Sequence, residues 1–354
     1  MRTQKSTIMN KFKCYFILLI TTVSFFSCTK NNTDTTVPPR DHAVQYATDN
    51  ADIEEYLKTN YITVIDHPGF QDDQDVTITK IPDGGVQPSI MSYLNSATYP
   101  RLMVREVSKD LLIHNVAYKI YYLVLRPGVG QAPTNVDGVL ASYHGEYLVR
   151  TATTGTLTAL TSTLFEEVQY PQQFLSLFST ISGWGEIFPQ FKTGTNTSNA
   201  DGTVNHSDFG AGVMFLPSGL GYFSSGSTAI PAYAPLVFNF KLFEIQRLDH
   251  ETSNGIATPD GVPSYLENIS GDGYMYDYRN TLNYSSSTTI NPNDTDGDGI
   301  PDFLDSDDDG DGVSTKTEIK GNNGVLTPFV DIPNCNGNTT DPTRIKKYLD
   351  KSCH

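Results

Sequence analysis

The chain has 354 residues, room for one to three domains with a sizeable core. Lys and Arg number 24 against 40 Asp and Glu, a formal net charge of -16, which argues against nucleic acid as a partner and favours calcium or basic partners. A charged fraction of 18% with 20 Tyr, 18 Phe and 28 Gly suits a β-rich extracytoplasmic protein better than a cytosolic helical one.

The first segment is an address. Arg2, Lys5, Lys11 and Lys13 precede an apolar run over residues 14–26 that is too short to span a bilayer as a helix, so residues 1–27 read as a signal peptide. Phe25-Phe26-Ser27-Cys28 resembles a relaxed bacterial lipobox, which implies that Cys28 is lipidated and becomes the new N-terminus. Each buried methylene of such an anchor contributes about 0.8 kcal/mol, so several acyl chains would tether the mature chain without inserting it. The expected location is the cell envelope, with the chain lipid-anchored to the outer membrane and either periplasmic or surface-exposed. Residues 28–40 are polar and end in Pro38-Pro39, the composition of a flexible tether.

Residues 41–114 form a region without an assigned role. The early acids and the spacing of Ile53, Tyr56 and Leu57 predict a short helix starting near Asp49 or Asp52. Turns punctuate residues 61–100 at Pro68-Gly69, Pro82-Asp83-Gly84-Gly85 and Pro88. Strand formers then crowd residues 118–125 and 139–143. Strict alternation of Leu236, Phe238, Phe240 and Leu242 places those four on one face that should be core. Residues 151–163 and 195–212 are poor in large apolar side chains and read as loop-like inserts outside the sheet.

The only tryptophan, Trp184, follows Gly183 in Ile181-Ser182-Gly183-Trp184. Taken alone, so large an aromatic is as readily a core anchor as a pocket floor. Its neighbours along the chain form an ordered set. Tyr143 lies in Ala141-Ser142-Tyr143-His144-Gly145; Phe165-Glu166 and Phe174 follow; after Trp184 come Leu216-Pro217 through Tyr222 and Ile230-Pro231 through Leu236-Val237-Phe238. That order resembles the FKBP-type peptidyl-prolyl cis-trans isomerases over roughly residues 115–247. The resemblance implies an antiparallel sheet wrapped around a short helix. It also implies a pocket in which Trp184, Tyr143, Phe165, Phe174, Ile181 and Phe238 receive a prolyl ring and Glu166 is a polar wall. The Tyr222 hydroxyl and the Ile230 N–H would meet the carbonyls of a prolyl-containing polypeptide. Three positions depart from the family pattern: Glu166 replaces aspartate, and Ile187 and Phe223 stand where glycine is usual. No Gly-x-Ser-x-Gly, His-Glu-x-x-His or P-loop competes.

An acidic segment follows. Asp294, Asp296 and Asp298 precede Gly299, and Asp307, Asp309 and Asp311 precede Gly312, so each copy puts carboxylates at positions 1, 3 and 5 of an EF-hand type loop with glycine at 6. Asp302 and Asp305 take positions 9 and 12 of the first copy; Val313, Thr315 and Glu318 take 7, 9 and 12 of the second. The segment resembles thrombospondin type 3 repeats, which implies structural Ca2+ and no cofactor for catalysis. Cys335 and Cys353 are available to close a C-terminal loop.

The expected architecture is α+β: an N-terminal region, an FKBP-like sheet over 115–248, a linker over 249–290, an irregular calcium-loop segment over 291–320 and a tail over 321–354. The expected activity is peptidyl-prolyl isomerisation in aid of exported proteins. A non-catalytic FKBP-like peptide-binding module, or a calcium-dependent surface or adhesion module, would use the same parts.

Overall fold

Helix α1, His42–Thr59, opens the described chain. It starts earlier than the acid spacing predicts, because the Asp41 side chain caps it by accepting from the Val44 N–H at 3.0 Å. Asp49 is not at an end but faces inward, 1% exposed, beside Ile53, Tyr56 and Leu57. The helix stops at Asn60, whose backbone is extended and whose side-chain amide donates to the Tyr56 carbonyl at 2.8 Å. Strands β1 (Asn60–Val64) and β2 (Val76–Lys80) then pair antiparallel. The computed structural model describes residues 38–107, 112–153, 156–253, 256–284 and 289–353. The signal-peptide and lipidation readings, Cys28 included, lie outside these.

One antiparallel sheet organises the middle of the chain. It contains β3 (Arg101–Glu106), β4 (Lys119–Arg126), β5 (Gly138–Thr153), β6 (Thr156–Val168) and β7 (Leu175–Ser176). Beyond helix α2 (Ser182–Ile187) and the small hairpin β8 (Thr195–Ser198) and β9 (Val204–Ser207) come β10 (Gly210–Leu216) and β11 (Leu236–Gln246). Spatial order is β3-β4-β10-β11-β5-β6, with β7 on β5. The sheet therefore takes an edge strand, β3, from the N-terminal region.

The two segments expected as loops are strands. Residues 151–153 end β5 and residues 156–163 belong to β6, the outer strand of the sheet. Residues 195–212 hold β8, β9 and the start of β10. Strand β10 is buried at every position, so it shows no alternation to read.

Each sheet face has its own core. On one, Leu236, Phe238, Phe240 and Leu242 of β11 meet Trp184 and Ile187 of α2 together with Phe188 and Phe191. On the other, Leu123, Val213, Phe215 and Val237 meet Ile53, Tyr56 and Leu57 of α1. A glycine is required where α2 approaches the sheet: a Cβ on Gly183 would stand 2.6 Å from the Leu216 Cδ1.

The described part of the segment at 249–290 contacts the sheet unit. Tyr274 and Tyr276 of this segment lie against α2, with both hydroxyls donating to Glu186. Asn135 and Met275 exchange two hydrogen bonds, at 2.7 and 2.8 Å. Short strands β12 (Thr252–Ser253) and β13 (Ile256–Ala257) and the single-turn helix α3 (Thr315–Glu318) complete the regular structure. Phe303 of the first acidic loop is buried with Val136 and Met275, and Val262, Ile319, Ile332 and Tyr348 form a small core of their own. Cys335 and Cys353 are joined as a disulfide. Residues 40–354 form one compact unit, and no described helix is long and apolar enough to cross a membrane.

Asp49 ties the two ends of this arrangement: its carboxylate accepts from the Ser218 N–H at 2.7 Å, the Ser218 hydroxyl at 2.6 Å and the Gln45 amide at 2.6 Å. Asp49→Ala leaves those buried donors unpaired and should lower the unfolding free energy by about 1–3 kcal/mol, measured by urea denaturation.

Candidate functional site

Trp184 is the centre of an aromatic cluster at the start of α2. It is 4% exposed, and the rings of Tyr143, Phe238 and Phe188 lie 5.0, 5.3 and 5.2 Å from it. Tyr143 and Phe238 both stand nearly perpendicular to the indole, at 82° and 88° between planes. Phe165 stands perpendicular to Phe238 at 5.6 Å. Edge-to-face packing of this kind adds about 0.5–1.5 kcal/mol per pair beyond area burial. It also keeps water off the faces it covers.

Neighbouring strands place these rings. Phe240 pairs with Tyr143, and Phe238 pairs with Gly145, whose partner on β6 is Glu166. Glycine is needed here, since a Cβ on Gly145 would stand 2.6 Å from the Phe165 Cζ and 2.9 Å from the Phe238 Cε1. The Glu166 carboxylate, which replaces the expected aspartate, lies close enough to the Tyr143 hydroxyl to disfavour its ionisation. Burial first, and Glu166 second, push the Tyr143 hydroxyl up to about 12.

Tyr222 and Ile230 sit on the loop between β10 and β11. Ile230 is buried in the same core, while Tyr222 is 38% exposed and its hydroxyl is shifted upward by burial and by Glu166. The Ile230 N–H already donates to the Ser227 hydroxyl at 3.1 Å. The indole N–H of Trp184 has no acceptor among the described residues. Ile181 packs at the edge of the cluster. Phe174 does not join it: the half-buried side chain rests against Gly138, and its neighbour Leu175 packs on the core instead.

Sequence reasoning missed what holds this loop. Ser218 is fastened to Asp49 of α1, the Tyr233 carbonyl accepts from Gln45, and the Tyr233 hydroxyl accepts from the Arg40 N–H. Phe223, where the resemblance leads one to expect glycine, has a φ of 40°, in the left-handed region that an aromatic residue enters at a cost. Its ring stacks on His42 at 3.8 Å, which offsets that strain. Ile187, the other replaced glycine, is fully buried against the sheet. A separate cavity of about 180 Å³ lies along the outer side of α2, bounded by Ser182, Gly185, Glu186, Met275, Tyr276 and Tyr284.

The acidic loops bring the expected groups together in part. Carboxylate oxygens of Asp294, Asp296 and Asp298 lie within 4.8 Å of one another, as do those of Asp307, Asp309 and Asp311. Gly299 and Gly312 take φ of 97° and 92°, the turn that position 6 demands. Asp302 instead accepts from the Thr295 N–H and hydroxyl, both at 2.8 Å, and Asp305 accepts from the Ser306 and Asp307 N–H groups. Glu318 is 7% exposed and its Oε2 has no partner among the described residues.

Comparisons with known proteins bear on both parts. A family model for the C-terminal region of BamM matches residues 258–342. No curated protein matches the chain. Among solved structures, a peptidyl-prolyl cis-trans isomerase from Pseudomonas syringae pv. tomato is 22% identical, with a TM-score of 0.27, covering 43% of this chain and 85% of that one. FkpA from Escherichia coli is 22% identical with a TM-score of 0.24; the match covers 40% of this chain and 53% of that one, about half the FkpA chain. The N-terminal domain of FKBP42 from Arabidopsis thaliana is 13% identical with a TM-score of 0.26, covering 40% and 96%.

Replacing Glu166 by Gln should bring the Tyr143 hydroxyl down from about 12 toward the ordinary tyrosine value near ~10 without reaching it, because burial persists. Tyrosine-selective carbon NMR titration would read this, and an unmoved resonance would show that burial alone sets the shift.

Proposed function

We propose that the chain is a peptidyl-prolyl cis-trans isomerase of the cell envelope, acting on prolyl-containing segments of exported polypeptides and tethered through a lipid on Cys28. The observation that carries this reading is the indole of Trp184, packed nearly perpendicular to the rings of Tyr143 and Phe238, with the exposed Tyr222 near Tyr143. Rotation about an X–Pro bond takes tens to hundreds of seconds unaided and needs neither nucleophile nor base. The amide loses conjugation as it twists and becomes less dipolar, so removing water from around it favours the twisted state over the planar one. An apolar aromatic floor supplies that environment. The exposed Tyr222 hydroxyl supplies a donor, not a charge, for a flanking carbonyl. The match to the BamM C-terminal model supports a cell-envelope location.

Two observations favour a second reading, a peptide-binding module without catalysis. Phe174 lies outside the cluster, and the Ile230 N–H is engaged by Ser227. Binding through the same floor survives both.

We further propose that the two acidic loops hold structural Ca2+. The donor set fits, being all oxygen with alternate carboxylates converging at positions 1, 3 and 5. Asp294, Asp296 and Asp298 would serve the first ion and Asp307, Asp309 and Asp311 the second, with Glu318 adjoining.

The decisive assay is cis-to-trans exchange of X–Pro peptides by NMR. Acceleration by the wild type, cut by more than about 10-fold in Tyr222→Phe combined with Phe238→Ala, is expected. A folded wild type that accelerates no X–Pro bond leaves the binding module. Because Tyr143 and Tyr222 are both shifted upward, both stay protonated and the rate should be flat from about pH 7 to 9. Chelation should lower the thermal midpoint, and Asp296→Asn with Asp309→Asn should remove part of the calcium-dependent rise; equal midpoints with and without calcium would exclude the loops as ion sites.

A further inference from the structure

A second set of carboxylates converges inside the molecule, outside the positions that define the two loops. Oxygens of Asp260, Glu267 and Asp308 lie within 4.8 Å of one another. All three residues are buried, at 1%, 2% and 1% exposure. Among the described residues, no hydrogen-bond partner reaches either oxygen of Glu267 or of Asp308, nor the Oδ2 of Asp260. Asp260 also belongs to an adjoining group with Asp249 and Glu251, whose oxygens meet the same spacing.

Such an arrangement has few physical explanations. An ionised carboxylate taken out of water costs several kcal/mol even after relaxation, and three facing one another add mutual repulsion. Protonation would remove the charge, but each acid would then need an acceptor within reach, and Glu267 has none. Among the described residues no cation forms an ion pair with any of the three: Lys316 lies near enough to Asp260 to act on it at a distance, but its ammonium donates to the Pro259 carbonyl at 2.7 Å. The Oδ1 of Asp260 is occupied by the Val262 N–H at 2.7 Å, which fixes that carboxylate and leaves its Oδ2 for the cluster. An oxygen-only donor set gathered at this spacing matches a hard divalent cation, which takes six to eight oxygens at about 2.3–2.6 Å.

We propose that Asp260, Glu267 and Asp308 form an interior Ca2+ centre, with Asp260 bridging toward Asp249 and Glu251. The centre is built from two distant stretches. Asp260 and Glu267 precede the acidic loops, whereas Asp308 lies between Asp307 and Asp309, so that successive carboxylates of one loop serve different groups. The ion thereby fastens the segment at 249–267 to the second loop, beside the small core of Val262, Ile319 and Tyr348. This assignment rests neither on the isomerase reading nor on occupancy of the loops.

The test uses the full chain, stripped with chelator and titrated with CaCl2 by calorimetry, with Tb3+ luminescence as a second count of ions. Glu267→Gln should bind about one ion fewer per chain and lose a large part of the calcium-induced rise in thermal midpoint. In metal-free buffer the same variant should melt at or above the wild type, since it removes a buried charge, and this also establishes that it folds. The loop variant Asp296→Asn with Asp309→Asn should keep the class of site that Glu267→Gln removes. Asp260→Asn provides an independent second variant, read by the same criteria. An unchanged ion count and an unchanged calcium-induced rise in Glu267→Gln or Asp260→Asn overturn the proposal, and loss of all ions in the loop variant alone assigns them to the loops only.

Discussion

The buried carboxylate of Glu186 is where three parts of the molecule meet. Arg105 from the edge strand β3 pairs with it at 2.7 Å, the Tyr276 hydroxyl donates to it at 2.9 Å, and the Tyr274 hydroxyl donates to the Glu186 carbonyl at 3.0 Å. The Arg105 guanidinium also lies 3.5 Å over the Tyr274 ring. Breaking one side of a buried pair costs about 3–5 kcal/mol, because the remaining charge is stranded. Glu186 is two residues beyond Trp184, so this junction sets how α2 lies on the sheet. The floor of the aromatic cluster is thereby positioned from the N-terminal region and from residues 274–276 together.

Distance and burial decide which parts of the molecule could be read from the sequence. Strand β11 was legible because Leu236, Phe238, Phe240 and Leu242 alternate with residues of another environment. Strand β10 was not, since both of its faces are covered and Gly210–Leu216 reads as an unbroken apolar run. The ordered motifs brought Trp184, Tyr143, Phe238 and Phe165 into view as a group, and their rings do meet. Phe174 stands outside that core, whereas its neighbour Leu175 packs on it. Asp49 and Ser218 are 169 residues apart, and Arg105 and Glu186 are 81 apart, so no local pattern announces either contact. The acidic loops were legible through their repeat, whereas the meeting of Asp260 and Glu267 with Asp308 joins stretches far apart in the chain.

Two opposite environments thus adjoin in one unit. Around Trp184 the chain gathers apolar and aromatic side chains, and in the C-terminal third it gathers negative charge. They touch through Phe303 of the first acidic loop, whose ring stands 5.4 Å from Phe178 in the turn that leads to Ile181. His250 joins the same contact, its ring 5.2 Å from Phe178 and its Nε2 2.6 Å from the Val136 carbonyl. Order in that loop and the entry into α2 therefore share an apolar contact.

The position of β3 bears on how the molecule divides. Its six residues cover the flank of β4 along a continuous register from Arg101–Val124 to Glu106–Lys119. A fragment cut to the isomerase-like stretch alone would begin after β3 and bare that flank, a row of unpaired backbone groups of the kind that templates intermolecular strand addition. It would also shed Arg105 and leave Glu186 without its counterion. The part that looks like a self-sufficient module is, in this chain, not severable from the segment that precedes it.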